Sequence, residues 1–537
     1  MDEESRQRPA AAEPRIAIIG AGISGLVSLK TCLEMGLSDV RIFEQRDSLG
    51  GQWNYQEPDP HTGASTSSIY ENVILNSCRD TSCFSDFPID PARYPDYFGH
   101  RQFLNYIHEY VTRFDLKSYI KFNTSVISCR QEEADQKKKK WIVQYQGNDD
   151  NESVEEVYDA VFACSGTNSH PLIPSFEGME SFQGQLLHSH VYRNPSIFAG
   201  KKVAIIGFGN SAADLSCEIR TVAKEVHLIT RRGGWVIPRY VLGKPAEMYT
   251  SRFGDTIVPP KVNEWILTRL CNTIMGEPPE EIKPKHSLTE VNFTLRSDLL
   301  ENIRTGRITA HRASVERITE ESIILTNNTT IDDIDVIICC TGYTLELPYL
   351  RKEYYRHNNP DESPLKSPNA LNLYKLVASP RHPNLFCIGY VHLEGPLLPV
   401  SETQARWAVA VIRNEIKLPS VAQMEESIKA YEKNLSSTMV SSNRHTNVIH
   451  YLPYCDDLLS GVGVNPTFWR LFKPMFTSNP LQAWRVFNAV YFGICSPAQY
   501  RLFGERSMPK LATHTLLRLA RGEKEMSQGE KEYVVKA

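Results

Sequence analysis

The sequence predicts an α/β fold containing two Rossmann-like dinucleotide-binding units, the second inserted into a discontinuous first. Three observations predict it: a strand–glycine–helix unit opening at Gly20, a second opening at Gly207, and strand-like runs flanking the second unit. A chain of 537 residues also exceeds what one hydrophobic core usually organises.

The first unit begins with Arg15-Ile-Ala-Ile-Ile-Gly20, an apolar run that stops abruptly on glycine, as a buried parallel strand does. Gly20-Ala-Gly22-Ile-Ser-Gly25 then opens a stretch with helical apolar spacing at Leu26, Leu29 and Leu33, which Gly36 stops. The next strand, Val40-Arg-Ile-Phe-Glu44, ends on a carboxylate about 20 residues beyond the glycine motif. Each residue has a physical task. Gly20 makes the tight turn, Gly22 lets a pyrophosphate approach the backbone, and Gly25 allows close helix–strand packing. The helix N-terminus faces the phosphates, and Glu44 can accept both ribose hydroxyls. The following Leu49-Gly50-Gly51-Gln52-Trp53 lets the chain pass close to a longer cofactor, which favours FAD over NAD and adds Gly51, Gln52 and Trp53 to the expected contacts.

The pattern recurs at Lys201-Lys-Val-Ala-Ile-Ile-Gly207, where Gly207-Phe-Gly209-Asn210-Ser211-Ala212 turns into a helix. Its partner strand, Val226-His-Leu-Ile-Thr230, ends without a carboxylate and is followed by Arg231 and Arg232. Guanidinium binds a 2′-phosphate bidentately, whereas a carboxylate would repel it, so this site suits NADPH better than NADH. The alternative, two solvated turn charges, stays open.

Strands ending in small-residue turns are expected at Tyr158–Gly166, Ile334–Gly342 and Asn384–Gly389, all returning to the first sheet. A helix is expected to open at Glu402-Thr-Gln404-Ala-Arg-Trp407. The expected division is a disordered tail over 1–14, a flavin domain over 15–174 and 333–521, an NADPH domain over 175–332, and a polar tail over 522–537. Lys137–Lys140 reads as a solvated hairpin turn.

Composition narrows the classes. With 41% hydrophobic residues, 23% charged and a net charge of -4, nothing pulls the chain toward nucleic acid. The twelve cysteines are scattered without a CxxC pair, so reduced thiols and no metal are expected. Met1–Pro14 lacks the apolar stretch of a signal peptide, and no run reaches the ~18 apolar residues of a spanning helix. Trp484–Cys495, broken by Arg485 and Asn488, reads as a packed helix. A cytoplasmic protein is the expectation, with peripheral contact at a membrane surface and a homodimer left open.

Beyond the glycine motifs, Phe182-Gln-Gly184-Gln-Leu-Leu-His188-Ser-His-Val-Tyr192 fits an FxGxxxHxxxY/F pattern. With it stand Leu75-Asn76-Ser77, Cys83-Phe-Ser-Asp-Phe-Pro88, Lys283-Pro-Lys-His286, Thr341-Gly-Tyr343 and Glu402-x-Gln404-Ala-Arg-Trp407. On these segments the chain, from about Arg15 to about Arg521, resembles the class B flavin-containing monooxygenases. Related Baeyer–Villiger enzymes usually carry Trp where Tyr192 stands, which points to the nitrogen- and sulfur-oxygenating branch. Membrane-bound animal members end in an apolar anchor, whereas the segment after Gly522 is polar.

The resemblance implies that NADPH reduces FAD before substrate binds, and that O2 then forms a C4a-hydroperoxyflavin sheltered by bound NADP+. A soft nucleophile, an amine or thioether, attacks the distal oxygen. The cofactor carries the difficult step, and the protein supplies position, dryness and hydrogen bonds. It also implies that Asn76 lies beside the flavin, helps hold NADP+ and is the catalytic residue, while Gln404 at its helix start offers backbone donors to the flavin pyrimidine. His188 and Tyr192 have either a structural or a chemical part. Two rivals remain: a Baeyer–Villiger oxygenase, and a disulfide reductase using Cys78 and Cys83, a C-x4-C pair.

Overall fold

The computed structural model describes residues 13–59, 65–132, 140–291, 293–476 and 479–535. In chain order the first unit supplies β1 (Ile16–Ile19), α1 (Ile23–Glu34), β2 (Val40–Phe43), α2 (His100–Arg113) and β3 (Ile120–Lys121). An antiparallel meander β4 (Thr124–Gln131), β5 (Trp141–Gly147) and β6 (Val154–Tyr158) follows, then β7 (Ala160–Ala163). The second unit supplies β8 (Gln185–His188), β9 (Lys202–Ile206), α3 (Asn210–Ile219), β10 (Glu225–Thr230), β11 (Thr309–Arg312) and β12 (Val336–Cys339). The chain then returns through β13 (Leu385–Cys387) and α4 (Leu397–Ile412).

Two five-stranded parallel sheets result, ordered β13-β7-β1-β2-β3 and β11-β10-β9-β12-β8. This is the double-Rossmann fold. Both central strands are buried on both faces. Ile16 and Ile18 pack into one core and Ala17 and Ile19 into another, while Val203 and Ile205 oppose Ala204 in the same manner. Such two-sided burial is what continuous apolar strands provide. The meander covers one face of the first sheet, with the Phe43 ring 4.7 Å from that of Tyr145.

One strand departs from expectation. Val336–Cys339 pairs in register with Val203–Ile206 and lies between β9 and β8 in the second sheet, not in the first. An apolar strand carries no mark of the sheet it will join, and this one completes the parallel pairing that β9 would otherwise lack on that side. The chain crosses between units at two adjacent strands, His170–Pro171 and Tyr343–Thr344, which pair antiparallel.

The expected polar tail over 522–537 carries a docked helix. Gln528–Val535 is helical, and fully buried Glu530 accepts hydrogen bonds from Arg518 Nε at 3.0 Å and Thr515 Oγ1 at 2.9 Å. Of the expected N-terminal tail, residues 1–12 lie outside the described residues, as do 137–139 of the expected hairpin turn; Glu13 accepts a hydrogen bond from Ser38 Oγ at 3.1 Å. The helix Pro480–Tyr491 packs Phe487, Ala489 and Val490 inward and leaves Trp484 exposed. No helix among the described residues is long and apolar enough to cross a membrane.

Candidate functional site

The first glycine turn is close-packed backbone on backbone. Gly20 has φ +103°, and a Cβ on Gly25 would stand 1.9 Å from the Gly20 carbonyl oxygen. Gly51, at φ +54°, brings its own chain against Gly22, where a Cβ would meet Gly22 Cα at 2.9 Å. Side chains are excluded from both sides of this approach, which leaves a cradle that only backbone and a bound group can share. Helix α1 starts on Gly22 with no side-chain cap, so its first N–H groups remain available to an anion.

Glu44 closes the turn. Its carboxylate, 5% exposed, accepts from Ala21 N at 2.7 Å and Arg46 N at 3.0 Å. Burial raises its pKa, and these backbone donors only partly offset that. Arg46 holds the other wall, donating to the carbonyls of Gly51 and Asn54, each at 3.1 Å. Arg46 was not legible as a site residue, because nothing in a lone arginine after a strand shows that it will fold back onto the second glycine pair.

The second turn repeats the geometry. Gly207 has φ +127°, a Cβ there would stand 2.4 Å from the Cys340 carbonyl, and α3 starts on Gly209 without a side-chain cap. This turn borders a cavity of about 1010 Å³ that Arg231 and Arg232 also line. Both arginines are exposed; Arg232 donates to the Ser441 carbonyl at 3.0 Å, while Arg231 has no partner among the described residues. Arg444, from the loop after the helix Val421–Thr438, sets Nη1 only 2.7 Å from where a Gly209 Cβ would be. Its place is set by long-range folding, so sequence reasoning did not find it.

A second cavity of about 280 Å³ lies between the units. Gln52, Trp53 and Asn76 line it from the first, and Asn210 and Ser211 from the second. Asn210 Oδ1 accepts from Leu295 N at 3.0 Å, which fixes the side chain at the head of α3. Asn76 accepts at Oδ1 from Arg239 Nη2 at 3.0 Å.

Gln404 is corrected. Helix α4 begins at Leu397, so Gln404 lies inside it, fully buried. Its Oε1 accepts from Gly389 N at 2.8 Å and its Nε2 donates to Tyr454 Oη at 2.7 Å, so the amide is spent on packing. The uncapped start of α4 instead brings Leu397 and Leu398 to the small cavity. Pro396 is the N-cap and Pro399 falls in the first turn, where proline costs no hydrogen bond.

The fingerprint residues hold the linker. His188 Nδ1 accepts from His190 N at 3.0 Å, so Nε2 carries the proton and donates to the Gly342 carbonyl at 3.0 Å. Burial lowers its pKa to about 4. Tyr192 donates to Glu218 at 2.8 Å. Cys78 and Cys83 are both buried free thiols, pushed up in pKa by burial and by neighbouring carboxylates. A thiol so held is a poor thiolate and does not suit disulfide exchange.

Two glycine cradles at uncapped helix starts, meeting across one small cavity, define an oxidoreductase of the double-Rossmann class. The chain matches the flavin-binding monooxygenase-like family over residues 13–530, and it belongs to that family. It is a class B flavin-containing monooxygenase, with FAD and NADPH as cofactors. It is 36% identical to human flavin-containing monooxygenase 1 over 500 residues, covering 91% of this chain and 89% of the relative. It is likewise 36% identical to human flavin-containing monooxygenase 5 over 504 residues, with the same coverage of each. Among solved structures, S-allyl-L-cysteine S-oxygenase from Allium sativum superposes with TM-score 0.61 at 25% identity, covering 85% of this chain and 90% of that one. NADP+-bound cyclohexanone monooxygenase from Rhodococcus sp. Phi1 superposes with TM-score 0.60 at 16% identity, covering 84% and 97%; this likeness concerns the fold alone.

Proposed function

We propose that the chain oxygenates a soft nitrogen or sulfur nucleophile of a small molecule, with FAD in the first cradle and NADPH in the second. The observation that carries this reading is the 280 Å³ cavity, which both nucleotide turns border and Asn76 lines. When bound, the reduced flavin supplies O2 activation and delivers one oxygen atom to the substrate.

The residues divide the remaining work. The Gly20–Gly25 turn and the start of α1 receive the FAD pyrophosphate, Glu44 the ribose hydroxyls, and Gly51, Gln52 and Trp53 the length of the cofactor beyond. Gly207, Gly209, Asn210 and Ser211 receive the NADPH pyrophosphate end, while Arg231 and Arg232 hold the 2′-phosphate. Asn76 donates from its amide at the reacting edge. Apolar Ile23, Leu397 and Leu398 line the same cavity and keep it dry. Sulfur as an acceptable nucleophile has support from the likeness to the S-allyl-L-cysteine S-oxygenase, and Tyr192 at the fingerprint's last position agrees with the nitrogen- and sulfur-oxygenating branch.

Rapid mixing of NADPH-reduced, NADP+-bound enzyme with O2, followed by a panel of amines, thioethers and ketones, tests the reading. A flavin–oxygen species that persists until an amine or thioether discharges it is expected. Discharge by ketones alone, with lactone or ester product, would establish Baeyer–Villiger chemistry instead; NADPH-driven reduction of a disulfide reagent would replace both.

A further inference from the structure

Asn76 does not stand alone at the small cavity. A short hairpin of the second unit, Tyr240–Val241 paired with Lys244–Pro245, holds the Asn76 loop from both ends. At its start Arg239 donates to Asn76 Oδ1 at 3.0 Å, and its carbonyl accepts from Tyr97 Oη at 2.9 Å. Just past its end Glu247 accepts from Cys78 N at 2.9 Å and from Thr81 Oγ1 at 2.5 Å. The Tyr97 and Tyr240 rings pack edge to face at 5.3 Å.

From this geometry we infer that Arg239 is a positioning residue, which sets the orientation of the Asn76 amide so that its Nδ2 donors serve the cavity. The argument is one of hydrogen-bond chemistry. An amide can turn over and exchange its oxygen for its nitrogen, and the choice is made by its partners. Guanidinium only donates, so it accepts one orientation, with Oδ1 against Arg239. Nδ2 then has no acceptor among the described residues and remains to donate where Asn76 lines the cavity. Without Arg239 the amide could present its oxygen instead, an acceptor facing electron-rich oxygen atoms. The hairpin belongs to the second unit, so the donor is set only when the two units are in register. The inference rests on the reading of Asn76 as the catalytic residue.

The test measures coupling, the fraction of NADPH oxidised that appears as oxygenated product rather than hydrogen peroxide, in FAD-loaded full-length enzyme. Five variants are compared: Asn76→Ala, Asn76→Asp, Arg239→Gln, Arg239→Lys and the double variant Asn76→Ala/Arg239→Gln. Loss of the oriented donor is expected to cut coupling about fivefold, the worth of one hydrogen bond. Asn76→Ala and Asn76→Asp should both show that loss, although Asp keeps the Arg239 contact, because Asp offers only acceptors. Arg239→Gln should show it too, and Arg239→Lys, another pure donor, should restore most of it. In the Asn76→Ala background Arg239→Gln should change nothing further. Normal coupling in Arg239→Gln, or an equal further loss in the double variant, would overturn the inference while leaving Asn76 in place. Normal coupling in Asn76→Ala would overturn the Asn76 reading and this inference with it. Should Arg239→Gln fail to load FAD, the contrast of Asn76→Asp with wild type and the coupling of Arg239→Lys still decide.

Discussion

Arg231 follows directly on Thr230 at the end of β10, where the equivalent strand of the first unit ends on buried Glu44. It lines the large cavity and has no partner among the described residues, so under the proposed reading it is free to donate to the 2′-phosphate. A charge-assisted pair of this kind contributes about 1.5–3 kcal/mol, a tenfold to hundredfold effect. Arg231→Ala is therefore expected to raise the NADPH KM by at least about tenfold and leave that for NADH within about twofold. Steady-state kinetics with both nucleotides checks it; a parallel rise for both would mean that Arg231 shapes the turn rather than reading the 2′-phosphate. The glycines and Glu44 were legible at this scale because they recur at fixed spacing within one strand–turn–helix–strand unit. Arg46 was not, because a lone arginine at that spacing carries no pattern, and Arg239 and Arg444 were not, because each acts on a segment that folding alone brings near it.

Elements were legible as types and less so as neighbours. The sequence marks β12 and α4 as strand and helix, but the first joins the other sheet and the second begins on prolines. The place of β12 depends on pairing partners far along the chain, and the start of α4 on where its N-cap and first turn admit two prolines. The crossing between units shows what such partners do. Fully folded, His188 spans β8 and the Gly342 turn only as a neutral ring with one proton, and burial holds its pKa at about 4 against an ordinary value near 6.5. A histidine with a depressed folded pKa contributes stability that is complete above about pH 6.5 and declines as pH falls toward about 4. Its share of the slope is at most about 1.4 kcal/mol per pH unit. His188→Asn should lower Tm at pH 7.5 but flatten its decline between pH 6.5 and 4, with half-buried His311 and His392 among the histidines that keep part of the slope. Thermal melts across that range decide; an unchanged slope would show that protonation of His188 does not oppose folding.

The molecule as a whole is closed by the segment around Arg501, which no motif announces. Arg501, 1% exposed, donates to Glu34 at the end of α1 at 2.6 Å, to Asp86 at 2.8 Å, to Glu402 in α4 at 2.9 Å and to Ser85 at 2.7 Å. One side chain thus joins the helix of the first nucleotide turn, the loop beyond Asn76, the helix that borders the small cavity and the end of the chain. Burial alone would raise the Asp86 carboxyl, yet Lys30 and Arg501 outweigh it and hold the group below the usual carboxylate range. Lys30 shares Glu34 and Asp86 with this guanidinium, but Arg501 is the cation paired with all three carboxylates, and an unpaired buried charge costs more than the pair contributes. Arg501→Met keeps the volume and removes the charge, so it is expected to cost about 3–5 kcal/mol at neutral pH. The sign of its pH dependence is set by the carboxylates. Glu34 and Asp86, both held below the usual carboxylate range in wild type, contribute stability present above about pH 4 and lost progressively below it, whereas in the variant protonation relieves the repulsion. The gap in stability between Arg501→Met and wild type should therefore narrow as pH falls toward 4. Denaturant melts that follow flavin release at pH 7.5 and pH 4.5 measure it. A variant as stable as wild type at pH 7.5 would show that α1 and α4 are held together by their apolar faces alone.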